Sequence, residues 1–128
     1  MSHILLADDD VQQLAIRKLL LEAAGHQVAL AEDAPSAERL LAELQPDVLV
    51  MDLCLPKLKD GLRLIRSVNE RSFAKIIVLS GWMEELYDLP EEKLVDRVLG
   101  KPIRNELLLD AISAVVFSPA RNPPSTAG

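Results

Sequence analysis

Short apolar runs alternate along the chain with longer stretches in which apolar residues return every three or four positions. The runs are His3–Ala7, Gln27–Ala31, Val48–Asp52, Ile76–Ser80 and, less clearly, Arg97–Leu99. In "VLVM", residues 48–51, successive residues are apolar, the pattern of a strand covered on both faces. Between the first two runs, apolar residues at 11, 14, 15, 19 and 23 predict a helix over Val11–Ala24, with Gly25 suited to the position after its end. Asp33 is a candidate N-cap with Pro35 in the first turn behind it, and Leu40, Leu41 and Leu44 stripe a second helix that Pro46 stops. Leu62–Asn69 reads as a third helix. The last one has a clear three-four spacing at Ile103, Leu107, Leu108, Ala111, Ile112 and Val115.

This alternation of strand and helix predicts a parallel sheet with helices on both faces. In such sheets ligands sit beyond the carboxyl ends of the strands, near a topological switch point. The region "MEELYDLPEEKLVDR" fits the scheme least well. Pro90 opposes one continuous helix there, so a short or broken element is expected. Ser118–Gly128, "SPARNPPSTAG", has three prolines and no apolar pattern, and reads as a disordered tail or truncated linker after a folded domain of residues 1–117.

Composition narrows the class. At 128 residues the chain makes one domain, large enough to bury a core without staples. Only 3% of residues are aromatic, so that core is built from Leu, Val, Ile and Ala. A net charge of −6 argues against a nucleic-acid surface. The single cysteine, Cys54, excludes an internal disulfide framework and fits a reducing compartment. No apolar run approaches a membrane span, and the amino terminus lacks the pattern of a secretory signal. A cytoplasmic domain with no membrane contact is the expectation.

The strand ends carry the candidate chemistry. Asp8, Asp9 and Asp10 follow the first run, Asp52 ends the third, Ser80 ends the fourth and Lys101 follows the fifth. In a parallel sheet these groups converge although they are far apart in sequence. Clustered carboxylates are hard oxygen ligands that suit Mg²⁺ (or Mn²⁺), which keeps several waters and accepts phosphate oxygens. A carboxylate can also attack phosphorus to give an aspartyl phosphate. A lysine and a hydroxyl would then hold the other phosphoryl oxygens. Asp10, next to the predicted helix, is better explained as its cap.

With these residues in order, the chain resembles the response-regulator receiver domains of two-component signalling. The resemblance covers roughly residues 3–117 and is carried by "ILLADDD", "DVLVMDLCLP", "IIVLSG" and "LGKPI". It implies a doubly wound, flavodoxin-like α/β fold: a five-stranded parallel sheet of order 2-1-3-4-5 with five helices. By resemblance Asp52 is the phosphoacceptor, supplied from a phosphohistidine of a sensor histidine kinase or phosphotransfer protein. Asp9 is the direct metal ligand, Asp8 acts partly through water, and the backbone carbonyl of Cys54 is a further ligand. Ser80 bonds the phosphoryl group, Lys101 forms a salt bridge to it, and the Lys101–Pro102 peptide is cis. The face formed by the fourth helix, fifth strand and fifth helix would meet an effector or a second copy. The domain is then a signalling phosphoacceptor, not an enzyme acting on a separate substrate.

Several positions depart from that family pattern. The family glycine eight residues past the acceptor lies nine past it here, at Gly61, which predicts a longer "KLKDG" loop. Val98 replaces the usual aromatic three residues before the lysine, and a stiff β-branched side chain cannot make the aromatic's inward swing. The resemblance implies that the positions of Cys54 and Trp82 flank the route of hydrolytic water; neither side chain can orient water and Trp82 is bulky, so a slowly hydrolysing phosphoaspartate is expected. The Cys54 side chain itself reads as a small group at the site rim. Two rivals are a receiver-like interaction module that is never phosphorylated, and a haloacid-dehalogenase-type phosphatase using Asp8 and Asp10 as its D-x-D pair.

Overall fold

A computed structural model describes residues 2–117. The expected tail over residues 118–128 lies outside them. The described residues form five strands, β1 (His3–Ala7), β2 (Gln27–Ala31), β3 (Val48–Asp52), β4 (Lys75–Ser80) and β5 (Arg97–Gly100). All pair in parallel in the order β2-β1-β3-β4-β5. The order reverses between β1 and β3, so their carboxyl ends flank the switch point.

Side chains alternate across the sheet and feed two cores. Leu5, Leu49, Met51, Ile76 and Val78 face the side covered by α2 (Ala34–Leu44) and α3 (Leu58–Arg71). Ile4, Leu6, Val48, Val50, Ile77 and Leu79 face α1 (Val11–Ala23) and α4 (Asn105–Val116). β3 and β4 are buried on both faces, which is why their apolar residues run without interruption.

Local chemistry sets the helix ends. The Asp10 carboxylate accepts from the N–H groups of Gln12 and Gln13 at 3.1 and 3.2 Å, so Asp10 is the α1 cap. Asp33 caps α2 by accepting from the Ser36 N–H at 2.8 Å, and hydrogen bonding from Ser36, its hydroxyl first and then this N–H, lowers the Asp33 pKa from its ordinary value. Gly25, just past α1, sits at φ +96°, where a side chain would be strained.

The buried stripe of α1 differs from the one its apolar residues predict. Leu14, Arg17 and Leu21 are buried, whereas Val11, Ala15, Leu19 and Ala23 are exposed. An arginine occupies the middle of the inward face.

Four α-helices are present among the described residues instead of the five expected. In place of the fourth are two 3₁₀ turns, Met83–Leu86 and Pro90–Leu94. Pro90 cannot donate an N–H and excludes a helical residue before it. Asp88 at φ +65° completes the break. The second turn is tied to α3 by Arg66, whose Nη1 lies 2.6 Å from an oxygen of the buried Glu91.

α3 also starts earlier than its apolar pattern predicts. The "KLKDG" stretch is not a longer loop: Lys57 is the N-cap, and Leu58–Gly61 is the first turn. The Asp60 carboxylate accepts from the Lys57 N–H at 3.2 Å and closes that turn.

Candidate functional site

The carboxyl ends of β1, β3, β4 and β5 bring the predicted residues to one edge. Asp8 follows β1, and its N–H continues the sheet by donating to the Ala31 carbonyl at 3.1 Å. Asp52 is the last residue of β3, Ser80 the last of β4, and the Lys101 N–H donates to the Ser80 carbonyl at 2.8 Å. Carboxylate oxygens of Asp8, Asp9 and Asp52 lie within 4.8 Å of one another. At that spacing three like charges raise each other's energy, and Asp9 records it. Asp9 is exposed as a residue, yet partial burial of its carboxyl, followed by the Asp8 and Asp52 charges, raises its pKa above the ordinary value.

Two cations answer those charges. Lys101 Nζ lies 2.6 Å from Asp52 Oδ2 and 3.9 Å from Asp8 Oδ2. Arg17 Nη1 lies 2.8 Å from Asp8 Oδ2. The other Asp8 oxygen accepts from the Asp10 N–H at 2.9 Å, so both oxygens of this buried carboxylate are engaged. Arg17 was not among the residues expected here. The apolar pattern carries no signal for it; the fold buries 14, 17 and 21 on one side of α1, and the guanidinium meets Asp8 from there.

Cys54 and Ser80 complete the rim. The Cys54 N–H donates to Asp52 Oδ1 at 3.1 Å, which fixes that carboxylate against its own loop. The Cys54 thiol lies 3.9 Å from Glu85 Oε2. Burial, then the Glu85 carboxylate, pushes its pKa up, the opposite of what a reactive thiolate needs. The Ser80 hydroxyl donates to the Trp82 carbonyl at 2.8 Å and accepts from the Trp82 N–H at 3.0 Å. It is therefore engaged within its own turn and must release that carbonyl to donate elsewhere. Val98 packs at the edge of the core, half-buried. The Lys101–Pro102 peptide is cis, as expected, and so is Leu55–Pro56, which was not anticipated.

Three carboxylates within 4.8 Å form an all-oxygen donor set that fits a hard divalent cation such as Mg²⁺. Beside it stand a strand-end carboxylate, a hydroxyl and an ammonium group.

Comparison with known proteins agrees with this arrangement. Residues 4–113 match the family described as the response regulator receiver domain. The chain is 32% identical over 120 residues to the virulence transcriptional regulatory protein PhoP of Salmonella typhimurium, covering 91% of this chain and 52% of that protein. It is 31% identical to the protein PilH of Pseudomonas aeruginosa, covering 91% of this chain and 98% of PilH. The chain thus spans about half the length of PhoP and nearly all of PilH. Among solved structures, a response regulator receiver domain from Clostridium thermocellum superposes with a TM-score of 0.81 at 27% identity, covering 91% of this chain and 94% of that one. TrrA of Thermotoga maritima, solved in complex with Mg²⁺-BeF, shares the fold with a TM-score of 0.80 at 21% identity, over 90% of this chain and 99% of that one. The chain belongs to the response regulator receiver domains, the phosphoacceptor modules of two-component signalling.

Proposed function

We propose that this domain takes a phosphoryl group onto Asp52 from a phosphohistidine donor. The observation that carries the assignment is Lys101 Nζ at 2.6 Å from Asp52 Oδ2, beside the three-carboxylate cluster. An Asp52 oxygen attacks phosphorus, the P–N bond to the donor imidazole breaks, and the imidazole leaves with a proton. Lys101 stays against the phosphoryl oxygens, and Ser80 turns from the Trp82 carbonyl to donate to them. Asp8, Asp9, Asp52 and the backbone carbonyl of Cys54 would hold Mg²⁺ (or Mn²⁺), which when bound neutralises charge on the transferred group. The donor is a sensor histidine kinase or phosphotransfer protein. Its seat is the groove of about 470 Å³ between α1 and the turn after β5, lined by Gln13, Ile16, Pro102 and Ile103. Such a domain works in the cytoplasm; among the described residues no helix is long and apolar enough to cross a membrane.

The test is incubation with acetyl phosphate and Mg²⁺, then intact-mass analysis and peptide mapping at acid pH. One phosphoryl adduct on the peptide carrying Asp52 is expected. An adduct on Asp8 would instead indicate phosphatase chemistry, and no adduct at any Mg²⁺ concentration would leave a module that is not phosphorylated.

Trp82 bears on the lifetime of the adduct. Its side chain is 66% exposed, while its backbone brackets the Ser80 hydroxyl. We read the indole as a shield at the rim of the phosphoryl group. Trp82→Ala is expected to speed spontaneous dephosphorylation severalfold, followed as loss of the adduct after the phosphodonor is removed. An unchanged rate means that the indole excludes no water.

A further inference from the structure

We infer that Arg17 is a positioning residue that competes with the divalent cation for Asp8, and so sets how much Mg²⁺ the domain needs. This rests on reading Asp8, Asp9 and Asp52 as the Mg²⁺ site. Arg17 lies at the centre of the inward face of α1, between Leu14 and Leu21, where an aliphatic side chain would complete the core. It is 9% exposed, and its Nη1 is 2.8 Å from Asp8 Oδ2. A guanidinium buried among apolar residues loses its hydration, and only a partner that must stay charged compensates for that. Asp8, itself 1% exposed, is that partner.

The charges decide the consequence. Facing one another are three carboxylates, Asp8, Asp9 and Asp52, and two cations, Lys101 and Arg17. One net negative charge remains to attract Mg²⁺; without Arg17 two would remain. The arginine also holds the Asp8 oxygen that Lys101 approaches at 3.9 Å, while the other oxygen is taken by the Asp10 N–H. Both Asp8 oxygens are therefore engaged before any metal arrives. Binding leans on Asp9 and Asp52, and the pocket is pre-neutralised by the chain itself. The arrangement favours a folded, ordered site at low Mg²⁺ over tight metal binding.

The experiment is calorimetric Mg²⁺ titration of the full 128-residue chain, with melts in the presence and absence of Mg²⁺, for wild type, Arg17→Lys and Arg17→Leu. Removing one nearby positive charge is expected to tighten Mg²⁺ binding by about tenfold in Arg17→Leu. The same variant should melt earlier than wild type without Mg²⁺ and gain more from its addition, whereas Arg17→Lys should stay near wild type. Folding of Arg17→Leu only when Mg²⁺ is present would be the same result in extreme form. Unchanged or weaker Mg²⁺ binding in a folded Arg17→Leu overturns the inference, and so does failure to fold even at saturating Mg²⁺, which makes the pair purely structural. If wild type and variant both ignore Mg²⁺, the metal reading of the site falls, and this inference with it.

Discussion

Gly61→Ala is expected to lower the free energy of unfolding by about 2 kcal/mol, although alanine is the better helix former. A glycine in a helix interior costs about 1 kcal/mol relative to alanine, so its place in the first turn of α3 needs a cause. The cause is backbone contact: a Cβ at Gly61 would lie 1.7 Å from the Leu53 carbonyl oxygen and 2.7 Å from its carbon. No side chain can rotate away, so either α3 or the loop after β3 must shift. Overpacking a tight core costs typically 1–3 kcal/mol, and backbone against backbone belongs at the upper end. Offset by the helix propensity gained, about 2 kcal/mol remains, a sizeable share of a total near 5–15 kcal/mol.

Urea denaturation should show a lower midpoint with an unchanged slope. Gly81→Ala is the control, because a Cβ there meets nothing within 4 Å. The effect should also reach function. Leu53 lies between Asp52 and Cys54, whose N–H holds the Asp52 carboxylate, so a shifted loop should also slow adduct formation. A variant as stable as wild type would mean that α3 slides freely over the loop.

Gly61 also shows what the sequence does and does not reveal. β1 to β4 were legible because their apolar runs are continuous, and those of β1, β3 and β4 lead into the polar residues gathered at the sheet edge. The positions of Asp8, Asp9, Asp52, Ser80 and Lys101 followed once those runs were read as parallel strands. The start of α3 was hidden by its cap: Lys57 is not a capping side chain by type, and a glycine preceded by Asp60 looks like a turn. The inward face of α1 was hidden for another reason. Apolar residues surround that helix, with Val11, Ile16 and Leu19 at 56%, 57% and 70% exposure, so periodicity alone does not pick the buried stripe. The residue that marks the stripe, Arg17, is charged, and its burial depends on Asp8, a contact from a neighbouring element. The break in the fourth helical region was legible at Pro90, but the Arg66–Glu91 tie that anchors it was not.

Asp52→Asn is expected to abolish the phosphoryl adduct while leaving the fold intact. The amide keeps an oxygen in place to accept from the Cys54 N–H, now at 3.1 Å from Asp52 Oδ1, so the loop loses no backbone bond. What it lacks is an anionic oxygen to attack phosphorus, and no acyl phosphate forms without one. The stability change should stay within about 1 kcal/mol because two terms oppose. Lys101 loses its 2.6 Å partner but keeps Asp8 within 3.9 Å. In exchange, one of the two charges that raise the Asp9 pKa disappears, and the repulsion within the cluster falls. The rise in melting temperature on adding Mg²⁺ should shrink in the variant, since one of three donors has become neutral. Adduct mass, urea midpoint and the Mg²⁺-dependent melting shift therefore read three separate consequences of one atom. A variant that still carries the full adduct would move the acceptor to another carboxylate, with Asp8 the next to map. A variant that unfolds would show that the Asp52–Lys101 pair holds the sheet edge together as well as serving the chemistry.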